Sequence, residues 1–78
     1  MAQQGAFIFI SVAGDHTRSV HTTLQRMTGV KAVYTVTGAY DLIVQVEAES
    51  VQSLADLILA RIRSIDGVTQ TVTCLILN

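Results

Sequence analysis

Two glycine–valine pairs, Gly29-Val30 and Gly67-Val68, each close an apolar helical stretch and open a run rich in β-branched residues. Val30-Lys31-Ala32-Val33 follows the first pair and Val68-Thr69-Gln70-Thr71 follows the second. A chain that runs helix, glycine, strand twice is confined to a few topologies. Two βαβ halves related by a pseudo-two-fold are the simplest. Ahead of the first helix, Ala6 to Val12 has the alternation of a strand, with Phe7 and Phe9 on one face and Ile8, Ile10 and Val12 on the other. Gly14-Asp15 breaks it, and Asp15 is an expected N-cap.

The first helical stretch places Val20, Leu24 and Met27 at i, i+4 and i+7, with Gly29 as its expected C-cap. Val30 to Val36 and Leu42 to Val46 are strands joined by a tight turn, Thr37-Gly38-Ala39-Tyr40-Asp41, where Gly38 can supply a positive φ. Ser50 is expected to cap a second helix with Val51, Leu54, Leu57, Ile58, Ile62 and Ile65 on its apolar face. Val68 to Leu77 is the last strand. The order β-α-β-β-α-β predicts an α+β, ferredoxin-like sandwich: a four-stranded antiparallel sheet with two helices on one face, spanning residues 1–78 as a single domain.

That architecture leaves one sheet face open, where polar residues should alternate with apolar ones. The first strand is apolar on both faces. The last strand carries Val68, Val72, Cys74 and Ile76 on one face and Thr69, Thr71, Thr73, Leu75 and Leu77 on the other. With 78 residues the chain is short for a self-sufficient core, yet 50% of its residues are hydrophobic. One cysteine excludes an internal disulfide, and His16, His21 and Cys74 have no metal-ligand spacing. Small domains without these staples gain stability by oligomerising. The expectation is a homodimer joined through the open sheet faces, a dimeric α/β barrel.

The net charge is −1, and Arg18, Arg26, Lys31, Arg61 and Arg63 form no run, which argues against direct nucleic-acid binding. No stretch approaches a membrane span and the N-terminus lacks a signal-peptide pattern, so a cytoplasmic protein is expected. No enzyme constellation is present either. Cys74 fits a buried structural thiol, and His16 and His21 fit solvated helix residues. Asp15, Glu47, Glu49, Asp56 and Asp66 fit caps and exposed charges. No cofactor is implied.

Two polar clusters remain. Asp41 leaves the Gly38 turn with a carboxylate, and Thr69, Thr71 and Thr73 share one strand face. Asp41 also fits a turn aspartate bonding its own backbone, and the threonines also fit plain strand formers. Together they hold what an α-amino acid needs: a carboxylate for the ammonium, hydroxyls and turn N–H groups for the carboxylate.

These segments, Val33-Tyr34-Thr35-Val36-Thr37-Gly38-Ala39-Tyr40-Asp41-Leu42 and Gly67-Val68-Thr69-Gln70-Thr71-Val72-Thr73, resemble the effector (RAM) domain of the Lrp/AsnC family over residues 6–77. The resemblance implies a regulatory module that senses amino acids or similar small effectors. It implies dimers paired through their sheets and assembled into rings, commonly octamers, with the effector in clefts between dimers. Gly38, Ala39, Tyr40 and Asp41 would form one wall and Thr71 and Thr73 another. Cys74, Leu75 and Ile76 would touch the effector side chain or the dimer contact. Full-length members carry an N-terminal winged-helix domain that this chain lacks, so a stand-alone form is expected, acting on transcription by co-assembly with full-length Lrp/AsnC proteins if at all. Other readings stay open: a small dimeric α/β-barrel enzyme, an ACT-like domain with its ligand at Gly14-Asp15, or a purely structural partner.

Overall fold

The structure is a computed structural model that describes residues 3–77, and of Leu57 the backbone only. The strands are β1 (Gln4–Val12), β2 (Val30–Thr35), β3 (Leu42–Ala48) and β4 (Val68–Leu75). They form one antiparallel sheet in the order β2-β3-β1-β4. Helix α1 (Thr17–Gln25) joins β1 to β2. Helix α2, residues 51–63, joins β3 to β4. It is α-helical over Val51–Ser53, π-helical over Leu54–Leu59 and α-helical again over Ala60–Arg63. The βαββαβ order and the ferredoxin-like sandwich are as the sequence predicts.

The core follows from strand position. β1 and β3 are central, so their inward residues are covered by helices and by neighbours on both sides. Ala6, Ile8 and Ile10 from β1 and Leu42, Val44 and Val46 from β3 are buried. Val20 and Leu24 of α1 and Leu54, Ile58 and Ile62 of α2 close over them. Each valine, leucine or isoleucine among them contributes about 1.5–3 kcal/mol on burial. The edge strands add half-buried Val30, Val33 and Val68.

Both helices end with the same geometry, and it differs from the expected glycine caps. Arg26 and Ser64 are the C-caps, three residues before the glycines. Met27 therefore lies past α1, packed at the margin of the core. Val30 N–H then donates to Met27 C=O, and Val68 N–H to Ile65 C=O, closing two matched four-residue turns. Gly29 (φ 94°) and Gly67 (φ 100°) take the third position of each, where a positive φ marks the type II turn. The internal repeat is thus real at the level of hydrogen bonds.

At the other helix ends the outcomes diverge. His16, not Asp15, is the N-cap of α1, and it makes no side-chain cap bond. Its backbone serves instead, accepting from Val20 N–H at 2.9 Å. Ser50 does cap α2: its hydroxyl accepts from Ser53 N–H at 3.1 Å. Ser50→Ala is expected to cost about 1 kcal/mol, read from urea denaturation at fixed protein concentration.

In α2, Leu54, Ile58 and Ile62 are buried at a spacing of four, which the wider π turn keeps in line. Val51, expected on that face, is 49% exposed, because it precedes the π segment and falls off the stripe. Ile65 packs at the core margin, and the side chain of Leu57 lies outside the described residues.

Candidate functional site

The loop between β2 and β3 covers residues 36–41 and is closed by Val36 N–H donating to Asp41 C=O at 3.0 Å. Gly38 holds φ 117° at its tip, with open space around it. Gly38 and Ala39 are exposed and Tyr40 is half-buried. The Tyr40 ring packs on Phe9 with centroids 5.3 Å apart, tilted by 50°, which ties the loop to the open face of the sheet.

Asp41 is anchored on both its main chain and its side chain. Its N–H donates to Ile10 C=O at 2.9 Å, and its Oδ2 accepts from Val12 N–H at 2.8 Å. Val12 sits where the β1–β4 register shifts, so its N–H falls out of step with the ladder and the carboxylate satisfies it. The aspartate side chain therefore bonds the backbone of a strand 29 residues away rather than that of its own turn. One carboxylate oxygen is fixed within the fold.

Register assigns the other residues to faces, since directly opposed antiparallel residues point the same way. Phe9 opposes Ile43 and Val72, and Tyr34 opposes Ile43. An apolar row, Tyr34–Ile43–Phe9–Val72, thus crosses all four strands on the open face. Beside it lies Ala32–Gln45–Phe7–Cys74. Cys74 is exposed, not buried, because β4 is an edge strand whose open side nothing covers within one chain. Ile76 lies over Gly5.

Thr71 and Thr73 oppose Ile10 and Ile8 and so belong to the helix side. Leu75, opposite Ala6, is 41% exposed there. Thr71 shares a groove of about 340 Å³ with Arg63, Val68, Thr69 and Gln70, and Arg63 Nε donates to its hydroxyl at 3.4 Å. A single chain therefore does not gather Gly38–Asp41 and Thr71–Thr73 into one pocket. Sequence reasoning missed Arg63. Its place in the last turn of α2, just before the tight turn into β4, is the signal that puts a guanidinium beside the threonines.

The histidines are less solvated than expected. His21 Nδ1 lies 2.8 Å from Thr35 Oγ1, and His16 packs under Gly67. Glu47 is half-buried and pairs with Lys31 at 3.7 Å. Among the described residues no three His, Cys, Asp or Glu side chains are grouped to hold a metal. No helix among them is long and apolar enough to cross a membrane.

A family model described as the Lrp/AsnC ligand binding domain matches residues 5–78. An uncharacterized HTH-type transcriptional regulator of Pyrococcus horikoshii is 35% identical over 71 residues, covering 87% of this chain and 47% of the regulator. A homocitrate synthase of Sulfurisphaera tokodaii is 39% identical over 63 residues, 81% of this chain but 14% of the enzyme. A crystal structure of a protein from Thermus thermophilus superposes with a TM-score of 0.89 at 32% identity, covering 96% of this chain and 94% of the other. The chain spans about half or less of the length of the curated relatives it matches.

Proposed function

The chain belongs to the Lrp/AsnC ligand-binding domain family, and from that premise we propose that its ligand is a free amino acid held between copies of the chain. The family is one of regulatory, effector-binding modules rather than enzymes. The match inside a homocitrate synthase covers only 14% of that enzyme, which fits a module that can be appended to different proteins.

The observation that carries the proposal is the Gly38–Asp41 loop. It presents exposed backbone at Gly38 and Ala39 next to a carboxylate held in place by Val12 N–H. Exposed N–H groups suit a ligand carboxylate and Asp41 suits an ammonium. Because Thr71 and Thr73 point to the other side of the sheet, a second copy supplies the opposite wall. Pairing comes from the open face, whose apolar row is the kind of surface that marks a partner site. Tyr40 on Phe9 couples that face to the loop. Larger rings, co-assembly with longer relatives of the HTH-type regulator class and a cytoplasmic setting complete the proposal.

Native mass spectrometry with a pool of the twenty amino acids tests it. An even-numbered assembly should gain one discrete mass per subunit, and an assembly that gains nothing would refute the ligand class. Asp41 variants refine the test. Asp41→Asn keeps an acceptor for Val12 N–H, so the fold should hold while ligand binding falls at least about tenfold. Asp41→Ala leaves that N–H unsatisfied and should also cost about 1–2 kcal/mol of stability. Equal ligand affinity in Asp41→Asn and the parent would remove Asp41 from the site.

A further inference from the structure

At the far end of β3 from the Gly38 loop lies a cavity of about 280 Å³. β3 has seven residues, so at about 3.3 Å per residue the cavity and Asp41 are separated by about 20 Å. Gly29, Ala48 and Ile58 give the cavity an apolar lining, and Glu47, Glu49 and Arg61 bring charge to it. All of these come from one chain.

Two features set this cavity apart from an ordinary surface dent. The first is its wall. Ile58 belongs to the π-helical segment Leu54–Leu59, in which Ala60 N–H reaches back five residues to Ala55 C=O. Such segments are rare and concentrate at functional sites. Here the segment presses Ile58 onto the turn before β2, with its Cδ1 2.7 Å from where a Cβ on Gly29 would stand. The second is charge. Glu47 is engaged by Lys31 at 3.7 Å, but among the described residues neither Glu49 nor Arg61 is in an ion pair. Opposite charges thus share one cavity without neutralising each other.

We infer that this cavity is a second ligand site, selective for a small aliphatic zwitterion. Arg61 takes the ligand carboxylate, Glu49 takes the ammonium, and the aliphatic part lies against Ile58 and Ala48. A guanidinium suits a carboxylate because its fork offers paired donors. The volume lies just under the range of drug-sized pockets, which favours a ligand of amino-acid size over a nucleotide or larger cofactor. No second copy is needed, unlike the loop site.

The test is an amide-resolved NMR titration of the full chain with L-valine, L-leucine, L-isoleucine and L-methionine, each to about 10 mM, well beyond the Kd of a specific site. With at least one of them the amides of Gly29, Glu49 and Ile58 should shift and saturate. The leucine analogues 4-methylpentanoate and 3-methylbutylamine, each lacking one charged group, should bind at least about tenfold more weakly than leucine if leucine is the ligand. Arg61→Gln and Glu49→Gln replace exposed side chains, so both should fold. Each should weaken these shifts at least about tenfold and leave any shifts at residues 38–41 unchanged. Shifts confined to residues 38–41 would overturn the second site and keep the loop site. Shifts at Gly29 and Ile58 that both variants leave unaltered would overturn the zwitterion assignment. Silence at both places would overturn both sites for these amino acids.

Discussion

Gly67→Ala is expected to destabilise the protein by about 3–4 kcal/mol, a large share of the roughly 4–12 kcal/mol available to a domain of this length. Two costs add. A φ of 100° is strained for any residue with a Cβ, at about 1–2 kcal/mol. The new Cβ would also stand 2.6 Å from His16 Cβ and 2.8 Å from His16 Cγ. His16 cannot swing away at that point, because a Cβ moves only with its backbone. That backbone accepts from Val20 N–H to start α1, and Ala13 N–H donates to Gly67 C=O at 2.8 Å. Relief would shift the first turn of α1.

Gly29→Ala tests the same logic with a softer neighbour. Its φ is 94°, but the nearest atom is Ile58 Cδ1, the far end of a side chain. Rotation of Ile58 relieves part of the clash, so the cost should be about 2–3 kcal/mol. Gly38→Ala meets nothing within 4 Å and should cost about 1 kcal/mol from backbone strain alone. Urea denaturation of the three variants at one protein concentration should rank them Gly67, Gly29, Gly38. A Gly67→Ala protein no weaker than Gly38→Ala would mean that the helix–turn contact is absent.

The glycine echo was legible because both turns need the same positive φ, and only glycine takes it cheaply. The cap assignment slipped by three residues because the same glycine signal serves the end of a helix and the turn that follows it. Period-two alternation sorted Val72 and Cys74 from Thr71 and Thr73 correctly. It could not show that β4 is an edge strand, which is why Cys74 was expected to be buried and is exposed. The π segment leaves no mark in residue types, since Leu54, Ile58 and Ile62 suit an ordinary helix as well. The bond from Val12 N–H to Asp41 depends on a register shift between β1 and β4, and no local pattern encodes that. The loop, then, was readable as a turn whose carboxylate either bonds its own backbone or meets a ligand. What holds the carboxylate was not.

On the proposed pairing through the open sheet face, Phe9→Glu is expected to convert the dimer to a folded monomer. Phe9 lies mid-sheet on the open face, opposite Ile43 and Val72 and against Tyr40. Central aromatic anchors carry a disproportionate share of interface energy, and a carboxylate without a partner there would be buried at high cost. The dimer Kd should rise by a factor of about a thousand or more, equivalent to roughly 4 kcal/mol. Folding should survive, since Ala6, Ile8 and Ile10 face the opposite side and keep the core intact. Sedimentation velocity across a dilution series, with circular dichroism on the same samples, reads both quantities. An unchanged assembly would place the subunit contact elsewhere. The same variant separates the two proposed ligand sites. The proposed loop site takes its second wall from another copy and should be lost with the assembly. The cavity beside Arg61 is built within one chain and should still bind.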